Sequence, residues 1–332
     1  MLNQKRSRVR LSLGIVTILL LVIGLAWAFV NRQYIYDVYN LWQYTPSESV
    51  ANISNKAYLS DTGEFYFYTS HAEINNSSEF NSNCQRKEAG NAILGCYANG
   101  KIYIYDVTNK ELDGIKEVTA SHEMLHAAWD RLSIGEQEKL SALLESAYES
   151  NKTKDLQDRM NYYDKYEQGQ RSNELHSIVG TELKTISPEL EKYYNKYFES
   201  RPAIVALHIK YQSVFQRLSD DSDALYEELT ILGDLIGILR SSYDTEAKSL
   251  GADIDNFNSR ANSGGFDSVA QFNSERAALV NRSNEVDAKF KQLNEQLGLY
   301  NVKHKQYKEL SIQREVLNNS IDSTSLTPVP SL

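Results

Sequence analysis

The chain has 332 residues, 41% of them hydrophobic and 24% charged, and a formal charge of -9. That length fits about two domains of ~100–200 residues, and the composition is that of a folded chain rather than a disordered one. The acidic balance excludes a general nucleic-acid binder, which needs basic residues to neutralise many phosphates, while only 5 Pro leave room for long unbroken helices.

Residues 11–30, LSLGIVTILLLVIGLAWAFV, carry no charge. About 20 apolar residues suffice to cross a bilayer as a helix. Lys5, Arg6, Arg8 and Arg10 precede this run, and Arg32 alone follows closely. The positive-inside rule therefore leaves residues 1–10 in the cytoplasm and exports the rest. The expectation is a single-pass signal anchor in the cell membrane, with the lipid bilayer as partner of residues 11–30 and the bulk of the chain extracytoplasmic. Ala26-Trp27-Ala28 resembles a small-residue cleavage site, so a cleaved signal peptide is the alternative. Trp27, Tyr34, Tyr36 and Trp42 stand near the outer end, where amphipathic rings settle at the interface. Residues 31–50 read as a juxtamembrane spacer. Cys84 and Cys96, the chain's 2 Cys, both fall in the exported part and suit a disulfide.

From about 56 to 110 the pattern reads as strands. KAYLS, Asp61-Thr62-Gly63 and EFYFYTS form one hairpin pattern. ILGCYA, Asn99-Gly100 and KIYIYDV form a second, with Asn-Gly suited to a type I′ turn. After Asp113-Gly114 the pattern turns helical. Helices are predicted over about 115–131, from Ser133 with a capping box to Glu136, near 154–166, over about 171–184, and from Ser187-Pro188.

From about 203 apolar or small residues recur at steps of four and three: Leu218, Ser222, Leu225, Leu229, Leu232, Ile236 and Leu239, then Val286, Phe290, Leu293 and Leu297. Such seams indicate coiled coil. The break at Asn262-Ser263-Gly264-Gly265 indicates two arms folding back as an antiparallel hairpin, with a parallel oligomer as the alternative. Leu229 and Leu232 are expected to pack with Phe290, Leu293 and Leu297, and the tail from Ser323 to be frayed.

The residues that point to chemistry are 119–130, TASHEMLHAAWD. His122 and His126, four apart on a helix, present both imidazoles on one face and can share a metal. Glu123 is placed to reach a metal-bound water as general base. A chance H-E-x-x-H in a chain this long arises on the order of once in a hundred. The third ligand must be a His, Asp or Glu on an element that returns to this helix. Glu174 is the first choice, with Glu182 and His176 as alternatives. His176, Tyr162, Tyr163 and Tyr166 are candidate donors to a transition-state oxyanion.

HEMLH followed by AAWD resembles the active helix of the zincin metallopeptidases. Thermolysin-like members carry an aspartate four residues after the second histidine, matched here by Asp130. Their third ligand lies in N-E-x-x-S-D, which Asn173-Glu174-Leu175-His176-Ser177 matches up to Ile178. The resemblance, gluzincin-like and covering about 95–200, implies Zn2+ held by His122, His126 and Glu174, and a substrate peptide extended along the strand before the active helix, here KIYIYDV. The fold class expected is α+β, mainly α: an N-terminal transmembrane helix, a zincin-like domain with a small antiparallel sheet over 51–201, a coiled-coil helical hairpin over 202–321, and a disordered tail over 322–332. The function expected is a membrane-anchored zinc metalloendopeptidase acting on peptide or protein substrates. The alternative is a catalytically silent zincin-like envelope protein whose hairpin docks a protein partner.

Overall fold

A computed structural model describes residues 2–84 and 92–324, with side chains from residue 16 onward. Helix dominates the described residues, beside a small three-stranded sheet. The described chain divides into two compact units. The first runs through Val214 and resumes at Leu317; the second is Phe215–Val316.

The N-terminal helix α1 spans Leu2–Val30. Among the described residues no single helix is long and apolar enough to cross a membrane. Val16–Val30 and Arg32–Gln43 pass that test only together, as a pair bent by 73°. The side chains of residues 11–15, part of the expected span, lie outside the described residues.

The expected spacer is instead helix α2, Arg32–Gln43, and it is packed. Its Asp37 is 2% exposed and accepts two hydrogen bonds from Arg131, at 2.9 Å from Nε and 2.7 Å from Nη2. Just beyond α2, the Tyr44 hydroxyl donates to the Ala72 carbonyl at 2.6 Å. A spacer reading fails because it weighs local polarity and cannot see a partner 94 residues away.

The first expected hairpin is also helical: α3 is Glu48–Lys56 and α4 is Asp61–Thr69. Ser60 is the reason. Its side chain accepts from the Gly63 N–H at 3.2 Å, an N-cap that starts a helix where the Asp-Thr-Gly sequence suggests a turn. The aromatic run then buries Phe67 completely, so packing overrides the strand propensity of its residues.

The second hairpin forms as expected. β2 (Gly95–Ala98) and β3 (Lys101–Tyr105) pair antiparallel, Cys96 opposite Tyr103, across Asn99 and Gly100, both at positive φ. A third strand, β1 (Glu73–Asn75), pairs parallel to β3, so the sheet is mixed and its order is β1-β3-β2. β3 is therefore central and β2 an edge, which overturns KIYIYDV as the edge for substrate. Helix α5 (Ser77–Asn83) leads into Cys84, which is disulfide-bonded to Cys96.

The helices of the first unit match their sequence signals. α6 is Ile115–Trp129, α7 Ile134–Ser150 with the capping box formed, α8 Lys154–Tyr166, α9 Arg171–Thr181 and α10 Pro188–Tyr194. α6 is the central element, with Ala120, Met124, Leu125 and Ala128 all fully buried. Ile102 and Ile104 of β3 and Leu175, Ile178 and Val179 of α9 share its cluster. Each such Leu or Ile contributes roughly 1.5–3 kcal/mol by leaving water.

Helices α11 (Arg201–Ser263) and α12 (Val269–Ile321) are the two arms. The boundary falls at Val214 rather than near 202 because the first turns of α11 belong to the first unit's core. Ile204 is fully buried there. Arg201 donates to Glu191, to the Val179 carbonyl in the last turn of α9 and to the Leu183 carbonyl just beyond it. At the other end, Ser323 bonds both ways with Asn81, at 2.8 and 2.7 Å, so the expected frayed tail is tied down at its start. Residues 325–332 lie outside the described residues.

Within the second unit the arms run antiparallel. Tyr226 meets Tyr307, Tyr243 meets Phe290, Glu228 pairs with Lys303 and Asp253 with Arg282. At the turn Phe257, Phe266 and Phe272 cluster with centroids 5.1–5.2 Å apart, and Arg260 grips Glu275 at 2.7 Å. This register sets Leu232 across from the stretch around Tyr300, not Leu293. Leu232 and Leu293 are both buried but in different layers, and Phe290 is half exposed. A heptad seam fixes which face is buried; the turn fixes which layers meet.

Candidate metal centre

α6 supplies two imidazoles one turn apart, and α9 lies against it with a carboxylate. His122, His126 and Glu174 offer ligand atoms all within 4.8 Å of one another. His122 Nε2 stands 3.4 Å from Glu174 Oε1, and His126 Nε2 stands 3.5 Å from Glu174 Oε2. Charge-assisted hydrogen bonds close to about 2.7–2.9 Å, so these contacts are loose as ion pairs. They suit donors around one ion: bonds of ~2.0–2.1 Å at tetrahedral angles put neighbouring donors roughly 3.3–3.4 Å apart. The cluster can hold a metal ion.

The His126 tautomer is set from outside. Its Nδ1 lies 2.9 Å from Asn173 Oδ1, which accepts the ring proton and leaves Nε2 with its lone pair toward the cluster. Asn173 is itself oriented by donating to Gln170 Oε1 at 3.1 Å. Sequence comparison registers Asn173 only as a letter of a motif; its place beside Glu174 was the available signal.

Electrostatics bind the three groups together. Burial alone would push His122 down, but Glu174 beside it raises it to about 9. Burial would raise Glu174, yet His122 and His126 lower it to about 2. The metal-free centre thus keeps a proton on His122 that an incoming cation must displace.

Glu123 lies on the same helix, buried, with burial raising its carboxyl above the usual range against the pull of His126 and His122. Edge strand β2 runs close beside it. Gly95 allows that approach. A Cβ there would lie 2.6 Å from Thr119 Cγ2 and 2.8 Å from Glu123 Oε1, far inside contact distance.

The other candidates stand elsewhere. His176 is fully buried, about 200° around α9 from Glu174. It packs on Trp129 and Tyr194 and bonds Tyr193 through Nε2 at 2.9 Å. Burial lowers its pKa to about 3. It is a neutral core histidine and faces no substrate. Glu182 is taken by Arg159 in a two-point pair at 2.7 and 2.9 Å. Its distance to His208 is 4.0 Å, and His208 Nδ1 lies 2.9 Å from the Tyr211 hydroxyl. This polar group neighbours the cluster without joining it. Tyr162 and Tyr166 meet at a tilt at the end of α8, centroids 5.0 Å apart. Asp130 is exposed at the end of α6, and Ile178 is core.

No family model, curated protein or solved structure matches this chain. Fold and site define a mainly helical protein with a small mixed sheet, a long helical hairpin and a cluster of two imidazoles and one carboxylate able to take a metal ion.

Proposed function

We propose that the chain is a zinc-dependent endopeptidase of the H-E-x-x-H type, anchored by its N-terminal apolar segment and working outside the cytoplasm. The observation that carries this is the convergence of His122, His126 and Glu174, with the buried Glu123 beside them. Two imidazole nitrogens and one carboxylate, with no thiolate, match the donor set of catalytic zinc sites.

Zinc held there supplies Lewis acidity, polarising a carbonyl and lowering the pKa of water to ~7. The chain's own residues supply the rest. Asn173 keeps the His126 proton on Nδ1, so that Nε2 is the donor. Glu123 is the proton acceptor: burial raises its carboxyl, which brings it closer to the basicity the task needs. Edge strand β2 supplies a backbone rail. The Tyr105 N–H bonds the Leu94 carbonyl at 2.8 Å, and bonded pairs alternate along an antiparallel ladder. Gly95 and Tyr97 therefore turn their main-chain groups away from β3. These outward groups suit an extended peptide, which would bind through its main chain with little sequence selectivity. The helical hairpin is the arm that engages a large protein substrate or partner.

The test is Glu123→Gln. Gln is nearly isosteric and Glu123 is not a ligand, so zinc content should stay at wild type. Cleavage of an unfolded protein should fall by about 10²–10⁴. Unchanged turnover would refute the assignment. Zinc retention by a wild-type protein that cleaves nothing would favour the silent, hairpin-docking alternative.

A further inference from the structure

α2 is amphipathic the wrong way round for a helix in water. At 100° per residue, Tyr34, Ile35, Val38, Tyr39 and Trp42 fall within an arc of about 140°. All five are exposed, Trp42 at 81%. Of its two charged residues, Arg32 is exposed at the margin of that arc, while Asp37 points inward and is closed over by Arg131. Helices at a protein–water boundary do the reverse. A helix that spends its one carboxylate on an internal clamp and turns aromatic rings outward is facing something other than water.

Two further features say what that is. α2 follows directly on the apolar helix α1, after Asn31, at 73° to it. If α1 crosses a bilayer, α2 lies close to the plane of its surface. The arc is also rich in Tyr and Trp, whose rings combine an apolar body with a polar tip and settle at the headgroup level.

We propose that α2 lies along the outer surface of the bilayer, its Tyr34–Trp42 arc among the lipid headgroups. This rests on the reading of α1 as a membrane anchor. The consequence concerns the site. Arg131 follows His126 by five residues at the end of α6, and it is bonded to Asp37 of α2 and over the Tyr66 ring at 4.9 Å. The Asn40 carbonyl of α2 accepts from His71 Nε2 at 2.9 Å. The end of the helix that carries His122 and His126 is therefore fixed to the surface-bound helix through the Asp37–Arg131 clamp. The metal centre does not hang on a flexible tether; it is held next to the membrane, where the polypeptide it meets is membrane-adjacent.

The experiment places a nitroxide on the full chain in vesicles of equal parts phosphatidylcholine and phosphatidylglycerol. Cys84 and Cys96 are bonded to each other, so Val38→Cys or Trp42→Cys gives a single free thiol for labelling. Lys139→Cys, on the exposed face of α7, is the water reference. Collision with oxygen against a water-soluble nickel chelate reads depth. The labels at 38 and 42 should sit ~5–10 Å into the headgroup and acyl boundary, with the label at 139 in water. Labels at 38 and 42 as nickel-accessible as the one at 139, on protein that floats with the vesicles, would overturn the proposal and leave the anchor standing. Protein that fails to float would overturn both. Neither result bears on peptidase activity, which is not measured.

Discussion

Replacing Asp37 with Ala tests whether α2 is part of the first unit's fold. The Asp37 and Arg131 side chains are 3% and 7% exposed and share two hydrogen bonds. Removing one member of a buried pair leaves the other charge uncompensated, at about 3–5 kcal/mol. Arg131 keeps some compensation: its Nη1 donates to the Ala127 carbonyl at 2.6 Å, and its guanidinium lies over the Tyr66 ring. The lower end, about 3 kcal/mol, is the expected loss. For a unit of this size each kcal/mol lowers Tm by roughly 2–4 °C, so the midpoint should fall by roughly 6–12 °C. The assay is thermal unfolding of the full chain in detergent, followed by circular dichroism. Asp37→Leu combined with Arg131→Met should recover most of the loss, because the cost is the stranded charge rather than the missing contact. A fall of less than about 1 kcal/mol in the single variant would refute the reasoning, since an exposed pair gives that much at most.

Three other perturbations have defined outcomes. Gly95→Ala drives a methyl into Thr119 and Glu123; it should cut peptide cleavage by about 10²-fold, as for a displaced catalytic group, while metal content, measured by mass spectrometry, stays unchanged. Asn173→Ala frees the His126 tautomer, and zinc affinity in a competitive chelator titration should drop about 10–100-fold. Metal uptake should be pH-dependent. His122 binds a proton up to about pH 9 in the metal-free protein, and metal must displace it. Apparent affinity should therefore rise about tenfold per pH unit through neutral pH and level off above 9. By the same shifts the metal-free fold gains stability from His122 that is full below about pH 6.5 and lost as pH rises through 9, readable as a midpoint that falls over that window.

The sequence made the local features legible. Ser133 with Glu136, Ser187 with Pro188, and Asn99-Gly100 each encode a boundary through one cap or one turn, and each is where the pattern puts it. His122 and His126 are four residues apart, so a helix alone brings them together. Glu174 joins them only through the packing of α9 on α6, and its signal in the sequence is its N-E-x-x-S neighbours rather than any periodicity. What stayed hidden depends on distance along the chain. The Asp37 clamp on Arg131 spans 94 residues. The placement of β3 at the centre of the sheet depends on β1, a strand of three residues with no pattern to announce it. His176 lies two residues from Glu174, which on a helix means the opposite side, and a core of Trp129 and three tyrosines encloses it there. The aromatic run of α4 shows the converse error: strand-like composition, decided by one serine cap.

The central claim is that His122, His126 and Glu174 form one metal site. Its most direct test is the metal content of purified full-length protein, wild type beside Glu174→Ala, after dialysis against zinc and then against metal-free buffer. The account predicts one equivalent of zinc in the wild type and a loss of most of it in the variant, with both proteins unfolding cooperatively. Wild-type protein that retains no zinc, or a variant that retains as much as wild type, would contradict it.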